Sequence, residues 1–283
     1  MSVRLIRSAR RMAAVSRRLA EQKRRIGVVP TMGALHDGHL SLIRRAASEN
    51  DIVIVTVFVN PLQFGPQEDF TRYPRNLPRD VRLARQAGAD IVFAPTMRQL
   101  YLPGFQTAVE VGALAARWEG ERRPGHFRGV ATVVTILFEL TRPANTYFGR
   151  KDYQQALVIQ RLVRDLCLPL RVHVLPTVRE PDGLAMSSRN ASLSLSERRQ
   201  AAVLFRALRR ARRQIRAGER RASVVLRAMR RLIAAQPEAR VDYVAIADAD
   251  SLEPLRRIRG RVVVLGAVLV GRTRLIDNLL VDV

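Results

Sequence analysis

The sequence predicts an α/β protein, with a doubly wound parallel-sheet (Rossmann-like) domain over residues 1–186 and a smaller α+β domain over 187–283. Two observations predict this. Short β-branched runs alternate with helical stretches up to about Pro176, which is typical of βαβ units in a parallel sheet. After Asn190 the composition changes to long Arg-rich helices followed by strand-like runs. A chain of 283 residues is long enough to form two domains.

The elements of the first domain follow from its apolar patterns. Continuous β-branched runs suit strands that helices cover on both faces, and the stretches between them have helical spacing. In chain order we expect a helix over 12–19, strands IGVVPT (26–31) and DIVIVTVFV (51–59), helix VRLARQAG (81–88), strand DIVFAP (90–95), a helix over 130–140, strand TYFG (146–149), a helix over 153–166 and strand RVHVLPTV (171–178).

The second domain is predicted as two helices and three short strands. Gly218 and Pro237 mark the ends of the helices, because glycine and proline commonly follow a helix C-terminus. The helices are LSERRQAAVLFRALRRARRQIRAG (195–218) and SVVLRAMRRLIAAQ (223–236), and the strands are VDYVAIADA (241–249), RVVVLGAVLV (261–270) and TRLIDNLLV (273–281).

The chain carries a formal net charge of +24, from 49 Lys and Arg residues against 25 Asp and Glu. Such an excess favours association with nucleic acid or another acidic partner. However, the arginines are scattered over every helix, and aromatic residues, which would stack on bases, make up only 5% of the chain. We therefore expect solvated helix faces and no specific nucleic-acid ligand, and keep a basic nucleic-acid-binding protein as an alternative.

The composition also indicates the compartment. Hydrophobic residues make up 47% of the chain, and no apolar run approaches the roughly 18 residues that a spanning helix needs, so we expect no membrane association. The single cysteine, Cys167, has no internal disulfide partner and no metal-ligand spacing. A cytoplasmic protein fits these observations.

Two of the four histidines lie in the segment PTMGALHDGHLSL (30–42), directly after a predicted strand. A helix that begins near Gly38 would place His36 and His39 at positions i and i+3 of its N-terminus, on the same side. Helix N-termini bind phosphate, and imidazoles can donate hydrogen bonds to phosphoryl oxygens as negative charge develops on them. The pattern therefore indicates an anion site at the carboxyl end of a strand. A polar loop or a metal site is the alternative, although no third ligand lies nearby.

Further segments extend this pattern along the chain. They are VFVNPLQFGPQEDFTRYPR (57–75), PGHFRGVATVV (124–134), FGRKDYQQ (148–155), VREPDGLAMSSRN (178–190) and GRTRLIDN (271–278). Together with PTMGALHDGHLSL they resemble the pantoate-beta-alanine ligase family of the HxGH nucleotidylyltransferase superfamily. The resemblance implies ATP-dependent condensation of pantoate with beta-alanine through a pantoyl adenylate, with release of pyrophosphate and AMP. It also implies that Mg²⁺ accompanies the ATP.

The resemblance further implies roles for individual residues. It makes His39 a proton donor, and we expect it to act in catalysis with His36, Lys151 and Arg189. The ATP-binding residues that it implies are Met32, Gly33, Ala34, Leu35, His36, Asp37, Gly38, His39, Gly149, Arg150, Lys151, Asp152, Val178, Met186, Ser187, Ser188 and Arg189. No metal ligand is expected among the side chains, and a homodimer is implied.

Gln63 and Gln155 match the glutamines that bind the acid substrate in the family. An arginine fork would hold a carboxylate tightly, but it would also stabilise the ground state of the group that must act as nucleophile. Neutral amides can orient that carboxylate without this cost. Either glutamine alone could equally be an ordinary polar residue.

The segment MSSR (186–189) and Lys151 offer groups suited to a triphosphate. MSSR supplies two hydroxyls and a guanidinium, although a linker with a helix cap would contain the same residues. Of the 49 basic residues only Lys23 and Lys151 are lysines. A lysine retained within FGRKDYQQ suggests a site for a compact ammonium between phosphate oxygens.

Two positions depart from the family pattern. Arg150 stands where the family usually has glutamate, and Ile136 stands where it usually has lysine. Arg150 changes the charge beside the expected nucleotide, while Lys151 and Asp152 remain. Among enzymes, an HxGH adenylyltransferase that stops at the adenylylated product is the alternative, and the two glutamines with a second nucleophilic step favour the ligase. Of the other histidines, we expect His126 to shape the pocket and His173 to be structural.

Overall fold

The computed structural model describes residues 3–66 and 68–283, so that Gln67, within the segment 57–75, lies outside the described residues. The chain forms two compact units. The first contains the described residues up to Arg150 together with Gln154–Pro176, and the second contains Lys151–Tyr153 and Thr177–Val283. The domain boundary drawn from the sequence between residues 186 and 187 lies within the second unit.

A six-stranded sheet forms the centre of the first unit. All paired strands are parallel, and their spatial order is β1-β4-β3-β2-β5-β6. The strands are β1 (Arg4–Ile6), β2 (Ile26–Thr31), β3 (Ile52–Val57), β4 (Ile91–Phe93), β5 (Asn145–Gly149) and β6 (Arg171–Leu175). The predicted doubly wound parallel sheet is therefore confirmed.

The strand order reverses between β2 and β5, because β3 and β4 extend the sheet on one side of β2 while β5 and β6 extend it on the other. Gly27 pairs with Asn145 across this point. In open α/β sheets, the crevice at the carboxyl ends of the strands beside such a reversal is where ligands bind. The loops after β2, β3 and β5 are thus the first place to look for the site.

Helices cover both faces of this sheet. They are α1 (Ala9–Glu21), α2 (Asp37–Glu49), α3 (Leu77–Gln86), α4 (Met97–Leu100), α5 (Ala113–Ala116), α6 (Glu119–Arg122), α7 (His126–Thr141) and α8 (Tyr153–Asp165). Met12, Val134 and Ile159 of α1, α7 and α8 pack on one face, while Ile43 and Ala84 of α2 and α3 pack on the other.

Some elements differ from the sequence-based expectation. Strand β1 was not expected, because its three residues are too few for a pattern and its pairing with β4 comes from tertiary structure. Helix α7 begins at His126 rather than at residue 130, since Gly125 in the left-handed region (φ 80°) allows the chain to turn into the helix there.

The second unit consists of three helices against a three-stranded antiparallel sheet with the order β7-β8-β9. Its elements are α9 (Leu195–Ala201), α10 (Val203–Arg216), α11 (Ala222–Ala234), β7 (Ala239–Asp248), β8 (Arg261–Val270) and β9 (Thr273–Asp282). The single helix expected over 195–218 is split at Ala202, whose ψ of −4° interrupts the helical backbone. The expected α+β composition is confirmed.

Among the described residues, no helix has both the length and the apolar character needed to cross a membrane.

Candidate active site

The two histidines of the HxGH segment form the N-terminal cap of α2, as the spacing predicted. His36 is the N-cap residue, and its Nδ1 accepts a hydrogen bond from the Gly38 N–H at 3.2 Å. In return, His39 Nδ1 accepts a longer bond from the His36 N–H at 3.4 Å. The ring centroids are 4.1 Å apart. Since both Nδ1 atoms act as acceptors, the proton of each ring is on Nε2, and both imidazoles are Nε2–H donors.

The loop between β2 and α2 is held by a residue that sequence reasoning missed, Asp80 on α3. Its carboxylate is 1% exposed and accepts hydrogen bonds from the Ala34 N–H at 3.0 Å and the Leu35 N–H at 2.8 Å. Gly33 and Ala34 lie in the left-handed region, with φ of 83° and 50°. Asp80 therefore stabilises a strained turn from which both histidines follow. An acidic residue in the first turn of a helix gives no sequence signal that its partner is a distant loop.

Two further side chains fix the same loop. Thr31 Oγ1 donates to the Thr56 carbonyl at 2.6 Å and accepts from the Gly33 N–H at 3.1 Å. Arg79 donates to the Leu35 carbonyl at 3.2 Å. The N–H groups of residues 33–35 and the Leu35 carbonyl are thus all hydrogen-bonded within the protein.

Gln63 lies in a 3₁₀ turn that follows β3, at the same edge of the sheet, and contacts Met32 of the HxGH loop. Its side chain is buried, with Nε2 at 3.0 Å from Met32 Sδ and Oε1 accepting from Asn60 Nδ2 at 3.2 Å. Asn60 also donates to the Gly129 carbonyl of α7 at 3.0 Å. A Cβ on Gly129 would lie 2.2 Å from the Leu62 carbonyl oxygen, so only glycine permits this approach.

His126 holds the main chain of Gln63. Its Nδ1 lies 2.8 Å from the Gln63 carbonyl oxygen, which can only accept, so Nδ1 carries the proton. Burial, assisted by the Arg123 guanidinium, lowers the pKa of His126 to about 4. The ring is therefore neutral at pH 7, and Nε2 accepts from Arg123 Nη1 at 3.2 Å. Arg123 is fixed in turn by two bonds to Glu68, at 2.7 and 2.6 Å. His126 therefore orders the turn that carries Gln63.

The adjacent glutamines 154 and 155 at the start of α8 have different environments. Gln154 is 4% exposed; its Nε2 donates to the carbonyls of Leu114 and Arg117, both at 2.7 Å, and its Oε1 accepts from the Glu119 N–H at 3.1 Å. These bonds use the Gln154 amide structurally. Gln155, the predicted substrate ligand, is half-buried.

Gly149 is the last residue of β5, the neighbour of β2 across the strand-order reversal, and Arg150 follows it. Within the first unit, the residues predicted to bind ATP and the acid substrate therefore lie at the carboxyl ends of β2, β3 and β5 or in the segments that directly follow these strands. Ile136, where the family usually has lysine, is half-buried on α7 and packs against the core. His173 is structural as expected, with its ring stacked on Tyr147 at 4.8 Å and Nε2 at 2.9 Å from Asn145 Oδ1.

The second unit carries the remaining predicted site residues. Lys151 and Asp152 form an ion pair at 3.3 Å within a 3₁₀ turn over residues 150–152. Val178 and Met186 are joined by a hydrogen bond from the Met186 N–H to the Val178 carbonyl at 3.0 Å, across a short hairpin. Ser187 caps the next 3₁₀ turn (Ser188–Ser192) by accepting from the Arg189 N–H at 3.3 Å. MSSR is thus a helix cap, as the alternative interpretation held, and its other groups remain candidates for phosphate binding.

In the part of the chain that the structure describes, no group of three or more His, Cys, Asp and Glu side chains could hold a metal ion.

The comparisons with known proteins identify the family. The family model described as pantoate-beta-alanine ligase matches residues 4–280. A pantothenate synthetase from Moorella thermoacetica is 56% identical over 275 residues, which cover 96% of this chain and 97% of that protein.

Solved structures give the same result. The crystal structure of the Thermus thermophilus enzyme superimposes with a TM-score of 0.93 at 49% identity, covering 98% of this chain and 99% of that one. A pantoate-beta-alanine ligase from Francisella tularensis, crystallised with beta-gamma ATP and beta-alanine, is 34% identical with a TM-score of 0.82 and covers 99% of this chain and 98% of that chain.

Proposed function

The chain belongs to the pantoate-beta-alanine ligase family and is an ATP-dependent ligase that forms pantothenate from pantoate and beta-alanine; we propose that its reaction passes through a pantoyl adenylate. In the first step the pantoate carboxylate attacks the α-phosphorus of ATP and pyrophosphate leaves. In the second step the amine of beta-alanine attacks the acyl carbon, and AMP leaves. The single observation that carries the assignment of the site is the capped histidine pair at the strand-order reversal.

The histidine pair suits the first step. As pyrophosphate departs, negative charge builds on the phosphoryl oxygens, and preformed donors aimed at such charge lower the barrier without reorganisation. His36 and His39 have Nδ1 occupied by backbone N–H groups, which leaves Nε2–H as the donor of each ring. We assign His39 to the leaving group and His36 to the phosphoryl oxygens. The N-terminus of α2 adds its partial positive charge.

The remaining ATP contacts are proposed from the resemblance, together with the local environment of each residue. The proposed ATP-binding residues are Met32–His39, Gly149, Arg150, Lys151, Asp152, Val178 and Met186–Arg189. Lys151 and Arg189 act as catalytic cations on the phosphates. Mg²⁺ is proposed to accompany ATP, because this ion usually keeps several waters and binds through substrate phosphates.

Gln63 and Gln155 are proposed to orient pantoate. Gln63 is supported by its contact with Met32, since it places an amide beside the HxGH loop. Gln155 is supported by contrast with Gln154, whose amide is used by three backbone groups. Neutral amides orient the carboxylate nucleophile without pairing its charge.

Omission of single substrates tests the reaction sequence. ATP and pantoate alone should support exchange of labelled pyrophosphate into ATP, because the adenylate forms before the amine is needed. Sustained AMP release should need ATP, pantoate and beta-alanine together. Exchange without pantoate would contradict the scheme, and continuous AMP release without the amine would indicate an adenylyltransferase instead.

Replacement of His39 by alanine tests the site. The variant should lose on the order of a hundredfold in kcat, because a donor that acts as charge develops is removed. A raised KM with unchanged kcat would make His39 a binding residue only. Loss of the cap bond also affects α2, so the melting temperature of the variant is measured in parallel.

The oligomeric state, the compartment, the partners and the domain bounds are also proposed. A homodimer is supported by the resemblance, and a cytoplasmic location by the single, exposed Cys167. With small-molecule substrates, the net charge of +24 should produce only weak, salt-sensitive and sequence-independent binding to DNA. The proposed domains are residues 1–186 and 187–283.

A further inference from the structure

The signature GRTRLIDN (271–278) ends in an acid–amide pair on β9 that the proposed site has not so far used. Asp277 and Asn278 are both buried, with 5% and 3% of their surface exposed. Adjacent residues of a strand point to opposite faces, so the pair can hold two separate segments of chain. Each of the two segments that it contacts contains, or leads into, proposed ATP-binding residues.

Asp277 fixes the hairpin that leads into MSSR. Its two carboxylate oxygens accept from Arg179 Nη1 at 2.6 Å and Nη2 at 2.9 Å, a bidentate pair. The same Nη1 donates to the Gly183 carbonyl at 3.1 Å, at the turn of the hairpin. The guanidinium also stacks on the Phe205 ring, 4.0 Å from its centroid. Arg179 therefore joins the hairpin to β9 and to α10 and also binds the hairpin turn.

The hairpin in turn sets where MSSR begins. Arg179 pairs with Ala185 across it, and the Met186 N–H donates to the Val178 carbonyl at 3.0 Å. On the far side of MSSR, Asn190 donates to the Ala185 carbonyl at 3.1 Å. The segment 186–189 is thus held at both ends by the hairpin, and the hairpin is bound to Asp277 through Arg179.

Asn278 fixes the main chain of Lys151. Its Nδ2 donates to the Lys151 carbonyl at 2.9 Å, and its own N–H donates to Asp277 Oδ1 at 2.8 Å. The second bond links the two residues, because the oxygen that receives it also accepts from Arg179. One carboxylate therefore orients both the arginine of the hairpin and the amide that holds Lys151.

We propose that Asp277 and Asn278 are positioning residues for the ATP phosphates, which hold Lys151 and the segment Met186–Arg189 in one fixed arrangement. The inference rests on the proposed assignment of those residues to the ATP site. Neither Asp277 nor Asn278 touches substrate in this role. Small displacements of groups that position a substrate can cost as much as about a hundredfold in rate, so two buried polar residues in a strand can control the use of ATP.

Two variants test the inference. Asn278→Ala removes the donor to Lys151, and Asp277→Asn keeps the shape but offers Arg179 a single oxygen. Each should lower kcat/KM for ATP by about tenfold or more, a loss of about 1.4 kcal/mol in transition-state stabilisation. The KM for pantoate should change by less than about threefold, because Gln63 and Gln155 belong to the other unit. Asn278→Ser, which can keep a short donor, should recover part of the loss.

A matched control comes from the same sheet. Arg274 donates to Asp242 Oδ2 from Nε at 3.0 Å and from Nη2 at 2.7 Å, also joining two strands of the second unit. Asp242→Asn should lower the melting temperature without changing kcat/KM for ATP. Assays are run well below the melting temperature of each variant, so that loss of folded protein is not counted as loss of positioning.

The outcomes separate this inference from the assignment on which it rests. An ATP-specific loss in both variants, with Asp242→Asn like the parent, supports the inference. A rise in the KM for pantoate as large as the loss in kcat/KM for ATP, or folded variants that turn over like the parent, would overturn it. If the folded variants turn over like the parent, Lys151→Ala tests the underlying assignment. Reduced activity of Lys151→Ala keeps Lys151 in the proposed ATP site, whereas full activity excludes it.

Discussion

Asp80→Asn should weaken the loop that carries both histidines. The Asp80 carboxylate accepts from two backbone N–H groups, at 3.0 and 2.8 Å, in a place that is 1% exposed. Asparagine has one side-chain oxygen, so its NH₂ group must face the backbone N–H of either Ala34 or Leu35, and two donors then oppose each other. Losing one charge-assisted bond in a buried place and leaving an N–H without an acceptor should cost about 2–4 kcal/mol.

The cost should divide between stability and activity. Part of it should lower the melting temperature of the protein by about 5–10 °C. The other part should appear in turnover, because ATP, which we propose binds residues 33–35, would have to order them. Ala34 alone, at φ 50°, carries backbone strain of about 1–3 kcal/mol. We therefore expect kcat/KM for ATP to fall by about tenfold to a hundredfold.

Two comparisons make the assay specific. Asp90 Oδ2 accepts from the Val53 N–H at 2.8 Å near the start of β3, at the opposite edge of the sheet, so Asp90→Asn should leave kcat/KM unchanged. Gly33→Ala should reproduce the kinetic loss without a substitution at Asp80, because the new Cβ would lie 2.8 Å from Asp80 Oδ2 and would displace the carboxylate. If folded Asp80→Asn keeps the parent kcat/KM, the loop is ordered without Asp80 and the reasoning is wrong.

Three further predictions follow from single residues. Lys151→Arg should lower kcat/KM for ATP by about tenfold, because a guanidinium needs more room than an ammonium, while the exposed Lys23→Arg should have no effect; equal activity of both would make Lys151 ordinary. His126 has a pKa of about 4 when folded and an ordinary value when unfolded, so the unfolded chain binds more protons between pH 6.5 and 4, and stability should fall by about 3 kcal/mol as the pH falls through that range. His126→Gln should show a shallower pH dependence in thermal melts, and parallel curves would contradict the assignment. Arg150→Glu should keep the ligase reaction in the substrate-omission assay, whereas complete loss of activity would show that the protein depends on the arginine.

Features that depend on local sequence pattern could be predicted from the sequence. The continuous apolar run IGVVPT became β2 with the expected bounds, and the spacing of His36 and His39 placed both at the cap of α2. Such features depend on residues within a few positions of one another, so periodicity and capping rules apply to them directly.

The rest depended on contacts between distant residues. The partners of Asp80 lie 45 and 46 positions away in the chain, and nothing near RNLPRD indicates them. Likewise, Gln154 and Gln155 are identical in type, and only the surrounding carbonyls of residues 114 and 117 distinguish a structural amide from a candidate ligand. Strand β1 and the break at Ala202 depended on tertiary packing in the same way.

The turn that carries Gln63 has a consequence for position 63, where we propose that pantoate is oriented. Its backbone is fixed by three other residues. The Asn60 amide donates to the Gly129 carbonyl, the lack of a side chain at Gly129 permits close approach to the Leu62 carbonyl, and the His126 ring bonds the Gln63 carbonyl. A substitution at position 63 therefore leaves these main-chain contacts in place and removes only the side-chain contacts with Asn60 and Met32. In the proposed role of Gln63, substitutions at position 63 would alter binding of the acid on an unchanged backbone, whereas a side chain at Gly129 would displace that backbone.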